Sequence, residues 1–186
     1  MTINTSSVIA TDSEVPMFEV ALTRQYGVPY KKGNTVYEAA SVLHSILDSS
    51  PVEKMVCLYM DIDNSIVGSE IVGIGDQFKV ETSFQNLFRG AILSGVKNII
   101  IGHNHVMGPV APSDPDLMMT SVAITIGPMF GIHLWDHIIV GPRGEHYSIF
   151  DHRDELSNRM RCLQLKHVLD RLAPKGNPLA TPISFL

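Results

Sequence analysis

The chain has 186 residues, 45% hydrophobic and 18% charged, a balance that builds one soluble globular domain with a sizeable core and excludes a disordered chain. Fourteen basic against nineteen acidic residues leave a net charge of -5, which argues against a surface built to neutralise many phosphates and so against direct nucleic-acid binding. Two cysteines, Cys57 and Cys162, are too few for a disulfide framework or a four-cysteine zinc site.

Residues 1–16 are rich in Ser and Thr, lack periodicity and read as a flexible leader. They carry no basic stretch followed by an apolar one, so no secretory signal is expected. Met17 to Leu22 alternates weakly, as a first edge strand would, and Tyr26 to Gly33 reads as a loop. Thr35 opens a helix, with Glu38 at the capping-box spacing and apolar residues from Val36 to Leu47 at helical spacing. Val52 to Asp61 is an apolar, central strand. It turns at Asp63-Asn64 into a returning strand, Ser65 to Ile74. Thr82 and Gln85 mark a second capping box, and the helix that follows ends at Gly95.

Asn98 to Gly102 is a short buried strand, and 103–112 a loop bearing Gly and Pro. A helix runs from about Asp114 to Met129 with a proline in its first turn. Ile132 to Val140 and Glu145 to Ile149 are strands, and 153–172 reads as an amphipathic helix before a proline-rich tail with an apolar end. The expected division is a domain over 17–150 and a C-terminal helical extension and tail over 151–186. Alternating strands and helices define a mixed α/β (α+β) domain whose sheet is flanked by helices on both faces. The hairpin means that this sheet is not purely parallel. No run of about 18 apolar residues is present, so no membrane span is expected, and a cytoplasmic setting is the default.

The chemistry concentrates in His103-Asn104-His105, then seven residues, Ser113, two residues, and Asp116. Two histidines two apart at a strand end can point the same way, and Asp116 returns from the first turn of the next helix. Two imidazoles and one carboxylate suit a zinc ion with one open position, which is a catalytic arrangement. Ser113 and Asp116 also have the spacing of a helix cap, and capping alone accounts for both. The two readings are compatible. Asp136 and His137 read either as supports of the metal ligands or as a satisfied polar pair on a strand. His133 falls on the face of His137 by period two, and Asn104 points away from its histidine neighbours.

His-x-His-x7-Ser-x2-Asp resembles the metal motif of the JAB/MPN superfamily, the JAMM metallopeptidases and isopeptidases. The closer resemblance is to the RadC-like branch. It is carried by His103 to Gly108, Pro112 to Asp116, the Asp136-His137-Ile138-Ile139-Val140-Gly141 strand and Leu58-Tyr59-Met60-Asp61. It spans roughly 33–150. Val106-Met107 stands where that branch has Pro-Ser, and Val80-Glu81-Thr82-Ser83 where it has Pro-Arg-Glu. The helix-hairpin-helix half of full-length RadC proteins is not found, so the chain reads as the catalytic-type domain alone.

The resemblance implies a three-layer, cytidine-deaminase-like architecture and one Zn2+ per chain on His103, His105 and Asp116. It implies hydrolysis of peptide or isopeptide bonds by a zinc-activated water. Glu53 would be the general base, with Glu70 and Glu81 as rivals, and Ser113 the donor to the developing oxyanion. The substrate class is then a protein or peptide, with a ubiquitin-like conjugate among the candidates, and a homodimer is allowed. The alternatives are a non-catalytic JAB/MPN scaffold and a DNA-repair-associated role. A zinc nucleobase deaminase is excluded, because His-x-Glu and Pro-Cys-x-x-Cys are both missing.

Overall fold

The computed structural model describes residues 35–48, 50–154 and 157. The expected leader, the 17–22 strand and nearly all of the 153–172 helix and its tail lie outside those residues. Among them the chain forms α1 (Val36–Leu47), β1 (Lys54–Met60), β2 (Ile66–Ile74), α2 (Phe84–Ser94), β3 (Asn98–Asn104), α3 (Asp114–Ile126), a short 3-10 turn (Gly127–Phe130), β4 (His133–Val140) and β5 (His146–Ser148). The five strands make one sheet in the order β2-β1-β3-β4-β5. Only the β3–β4 pair is parallel, and α3 supplies the crossover that a parallel pair needs.

Side-chain alternation along the central strands builds two apolar layers. Val56, Leu58, Met60, Ile100, Ile138 and Val140 face α1, where they bury Ala39, Ala40, Leu43 and Leu47. Met55, Cys57, Tyr59, Ile99 and Ile101 face the other way, onto Leu87, Phe88 and Ala91 of α2 and Met119 and Ala123 of α3. The architecture is therefore the expected three layers, with helices on both faces of a mixed sheet. Each fully buried aliphatic side chain contributes about 1.5–3 kcal/mol of burial free energy. Helix α1 sits close to β3 because residue 102 is glycine: a Cβ there would lie 2.3 Å from Leu43 Cδ2. None of the described helices is long and apolar enough to cross a membrane.

The helix ends explain where each helix begins. Thr35 caps α1 through the Glu38 N–H, and Gly95 closes α2 at φ 71°, a left-handed conformation that glycine adopts cheaply. The cap of α2 corrects the sequence reading. Ser83, not Thr82, is the N-cap and accepts from the Asn86 N–H at 3.1 Å. The Thr82 hydroxyl instead donates to the Val72 carbonyl and ties the incoming loop to β2.

Strand β4 carries a second correction. The register with β3 passes from Ile99↔Leu134 directly to Ile100↔Asp136, so Trp135 is an extra, bulged residue. Beyond the bulge the alternation is reversed. His137 pairs with Ile101 and shares the face of Leu134, while His133 lies exposed on the opposite face. The period-two alignment of His133 with His137 therefore fails.

Candidate metal centre

Strand β3 runs two residues further than its apolar run, and its last two residues are His103 and Asn104. His105 continues the same path and donates its backbone N–H to the Val140 carbonyl of β4 at 2.9 Å. His103 and His105 thus project from one face, over which the N-terminus of α3 lies. There Ser113 and Asp116 form a full capping box. The Ser113 side chain accepts from the Asp116 N–H, and the Asp116 carboxylate accepts from the Ser113 N–H at 2.8 Å. The cap and the metal reading coincide, because the cap is what holds the Asp116 carboxylate in place.

His103 Nε2 lies 3.1 Å from His105 Nε2 and 3.3 Å from Asp116 Oδ1, and His105 Nε2 lies 3.8 Å from Asp116 Oδ2. These three residues form a group whose ligand atoms could hold a metal ion. The donor set, two imidazole nitrogens and one carboxylate oxygen, fits a divalent transition-metal ion. His105 Nδ1 is 2.7 Å from the Pro109 carbonyl. A carbonyl only accepts, so Nδ1 carries the hydrogen and the neutral ring turns its lone pair at Nε2 toward the centre.

The surroundings shift every titratable group of the centre. Burial pushes His103 down to about 4, against the pull of Asp116. His105 is raised, by Asp116 first, then by the Pro109 carbonyl and Glu53, against its own burial. Burial alone would raise Asp116. The neighbouring histidines and the two Ser113 hydrogen bonds overcome it and hold the carboxyl well below the usual range.

Glu53 precedes β1 and is only 6% exposed. Its backbone is pinned by Asp76 and Gly75: its N–H donates to the Asp76 carbonyl and its carbonyl accepts from the Gly75 N–H. Burial raises its pKa, the His105 ring opposes this, and the charges of Asp116 and Asp76 add to it. Glu53 therefore feels both His105 and Asp116. The rivals are engaged elsewhere. Glu70 is held by Tyr59 and Arg89, and Glu81 is an exposed partner of Lys79.

Ser113 donates its hydroxyl to Asp116 Oδ2 in this structure. Two further residues find their partners here, and of the two readings offered for His137 the support of His103 is the one its ring contacts match. The Asn104 side chain accepts from the Lys54 N–H at 2.8 Å and donates to the Val52 carbonyl at 3.1 Å. His137 is fully buried, with Nε2 2.9 Å from His103 Nδ1 and Nδ1 2.7 Å from the Thr120 hydroxyl. Asp136 is the satisfied polar anchor: it accepts from the His137 N–H, the Ser148 hydroxyl and the Phe150 N–H.

Fold and site together define a three-layer α/β domain with a possible metal centre. A family model, the RadC-like JAB domain, matches residues 34–155, and the chain belongs to that family. A UPF0758 protein of Methanosarcina mazei is 29% identical over 123 residues, covering 66% of this chain and 53% of that protein. A UPF0758 protein of Trichodesmium erythraeum is 33% identical over 111 residues, covering 60% and 45%. The chain spans about half the length of the curated relatives it matches.

Proposed function

We propose that the domain is a zinc-dependent hydrolase of peptide or isopeptide bonds. The observation that carries this reading is the convergence of His103 Nε2, His105 Nε2 and the Asp116 carboxylate, with the charges of His105 and Asp116 acting on the buried Glu53. One zinc ion per chain, held by His103, His105 and Asp116, would supply Lewis-acid polarisation of the scissile carbonyl and acidify water at the open position.

Glu53 is the general base and acid. Its carboxyl takes a proton from the attacking water and delivers it to the leaving amine. A carboxyl whose pKa burial raises holds a proton more readily, which suits it to both transfers. Ser113 donates to the oxyanion that develops on the carbonyl, after its hydroxyl turns from Asp116 toward the substrate. An amide is the bond class that needs all three parts, because its leaving amine must be protonated. The substrate is a protein or peptide, with a ubiquitin-like conjugate a candidate within that class. The setting proposed is cytoplasmic.

Turnover of peptide and lysine-isopeptide substrates by the zinc-loaded protein tests this reading, with Glu53→Gln beside it. Cleavage that needs zinc and is lost in Glu53→Gln, while that variant still binds zinc, is the expected result. Cleavage that persists without zinc, or equal rates in Glu53→Gln, contradicts it. A protein that binds zinc and cleaves nothing in the panel points to a scaffold that retains the centre.

A further inference from the structure

Behind His103 a buried chain of hydrogen bonds runs back to the helix that carries Asp116, and its direction follows from what each atom can do. The Thr120 hydroxyl lies 2.7 Å from the Asp116 backbone carbonyl and 2.7 Å from His137 Nδ1. The carbonyl only accepts, so the single hydroxyl proton is spent on it. Toward His137 the hydroxyl oxygen must then accept, and His137 Nδ1 carries hydrogen.

Thr120 and His137 are both fully buried, and the ring nitrogens of His137 face a hydroxyl and a second imidazole. A charged ring there would be desolvated without a carboxylate on it, so His137 is neutral and its Nε2 has no hydrogen. That Nε2 lies 2.9 Å from His103 Nδ1. His103 must therefore donate from Nδ1, which leaves its lone pair on Nε2, the atom that faces His105 and Asp116.

We propose that Thr120 and His137 are positioning residues that lock His103 in its Nδ1–H tautomer and so present a bare Nε2 to a divalent cation. The proposal rests on the metal reading of the site for its purpose, and on the hydrogen-bond chain for its geometry. The chain closes on itself: Asp116 offers its carboxylate to the centre and its backbone carbonyl to Thr120. With His105 held on Pro109 by its own Nδ1–H, both imidazoles and the carboxylate turn acceptors inward with no donor among them. Only a cation or an added proton satisfies that set. Partners behind metal-binding histidines fix tautomer and ring orientation in this way.

The test uses the metal-free, 15N-labelled protein and zinc as the probe. Long-range proton–nitrogen spectra of the imidazoles report which nitrogen of His103 carries hydrogen, and competition with a chelating dye reports zinc affinity. Hydrogen on Nδ1 of both His103 and His137 is expected in the wild type. Thr120→Val keeps the shape but removes the hydroxyl. It should move the hydrogen of His137 to Nε2 and that of His103 away from Nδ1, and weaken zinc binding about 10- to 100-fold. Thr120→Ser should restore both. His103 with its hydrogen on Nε2 in the wild type overturns the proposal, as does a folded Thr120→Val that matches the wild type in tautomer and affinity. A wild type with the expected tautomers and no zinc affinity supports the lock and contradicts the metal reading, so the two failures are distinguishable.

Discussion

Asn104 holds the backbone on both sides of Glu53: it accepts from the Lys54 N–H and donates to the Val52 carbonyl. The β1–β3 ladder ends at Met55↔His103, and the Asn104 side chain takes over one residue further along. A residue between two proposed metal ligands thereby places the proposed general base. Asn104→Ala would leave the partly buried Lys54 N–H without this partner, at a cost of about 1–3 kcal/mol, while the Val52 carbonyl keeps the Ser50 hydroxyl. The expected outcome is a destabilised protein that still binds zinc and loses turnover out of proportion to its stability. Denaturant melts beside zinc titration and kinetics check this. Loss of zinc together with turnover would place Asn104 in the metal site itself.

Asp116 serves two ends at once, and the two are separable. Ser113→Ala removes the side-chain cap of α3 and should cost about 1 kcal/mol, the usual worth of such a cap, while zinc is retained. Asp116→Ala should cost a similar amount in the metal-free protein and lose zinc as well. Melts with and without zinc distinguish them. Equal loss of zinc in both variants would mean that the cap, not the carboxylate, holds the ion.

Metal-free protein should lose stability in mild acid. Burial pushes His103 down to about 4 and His137 down to about 3, while unfolded imidazoles titrate near about 6.5. Between those values the unfolded chain binds more protons than the folded one, so stability rises with pH across that window and falls as pH drops through it. His105, Glu53 and Asp136 are raised and work in the opposite sense, with smaller shifts than those of the two fully buried rings. Urea melts between about pH 7 and pH 4.5 read the slope. A flat profile would contradict the neutral, buried state of His103 and His137.

Glycine at 102 sets the distance between α1 and the strand that ends in His103. In Gly102→Ala the new Cβ would meet Leu43 at 2.3 Å. Overpacking of this kind costs about 1–3 kcal/mol. A lower melting temperature with weakened zinc binding is expected, since β3 carries both. An unchanged melt would show that α1 can give way freely.

Local signals in the sequence were enough for the helix caps at Thr35 and Ser113, the Gly95 stop and the buried central strands, because each depends on residues within one turn or one strand. The α2 cap was misplaced by one because Thr82 and Ser83 can both cap, and only the partner at Val72 claims the Thr82 hydroxyl. Strict period two put His133 beside His137, since a bulge at Trp135 leaves no mark in one sequence. The His103–His137–Thr120 chain joins residues 34 and 17 positions apart, so only the folded sheet and helix reveal it. The spacing of His103, His105 and Asp116 was readable because β3 and α3 are consecutive elements. Glu53 came from resemblance alone, as it lies just ahead of β1, fifty residues from His103.

The most direct test of the account is the metal content of purified protein by elemental mass spectrometry, beside His103→Ala and Asp116→Ala. Close to one zinc per chain is expected in the wild type, with loss of it in both variants. A folded wild type that takes up no metal when zinc is offered, or variants that keep it in full, would contradict it.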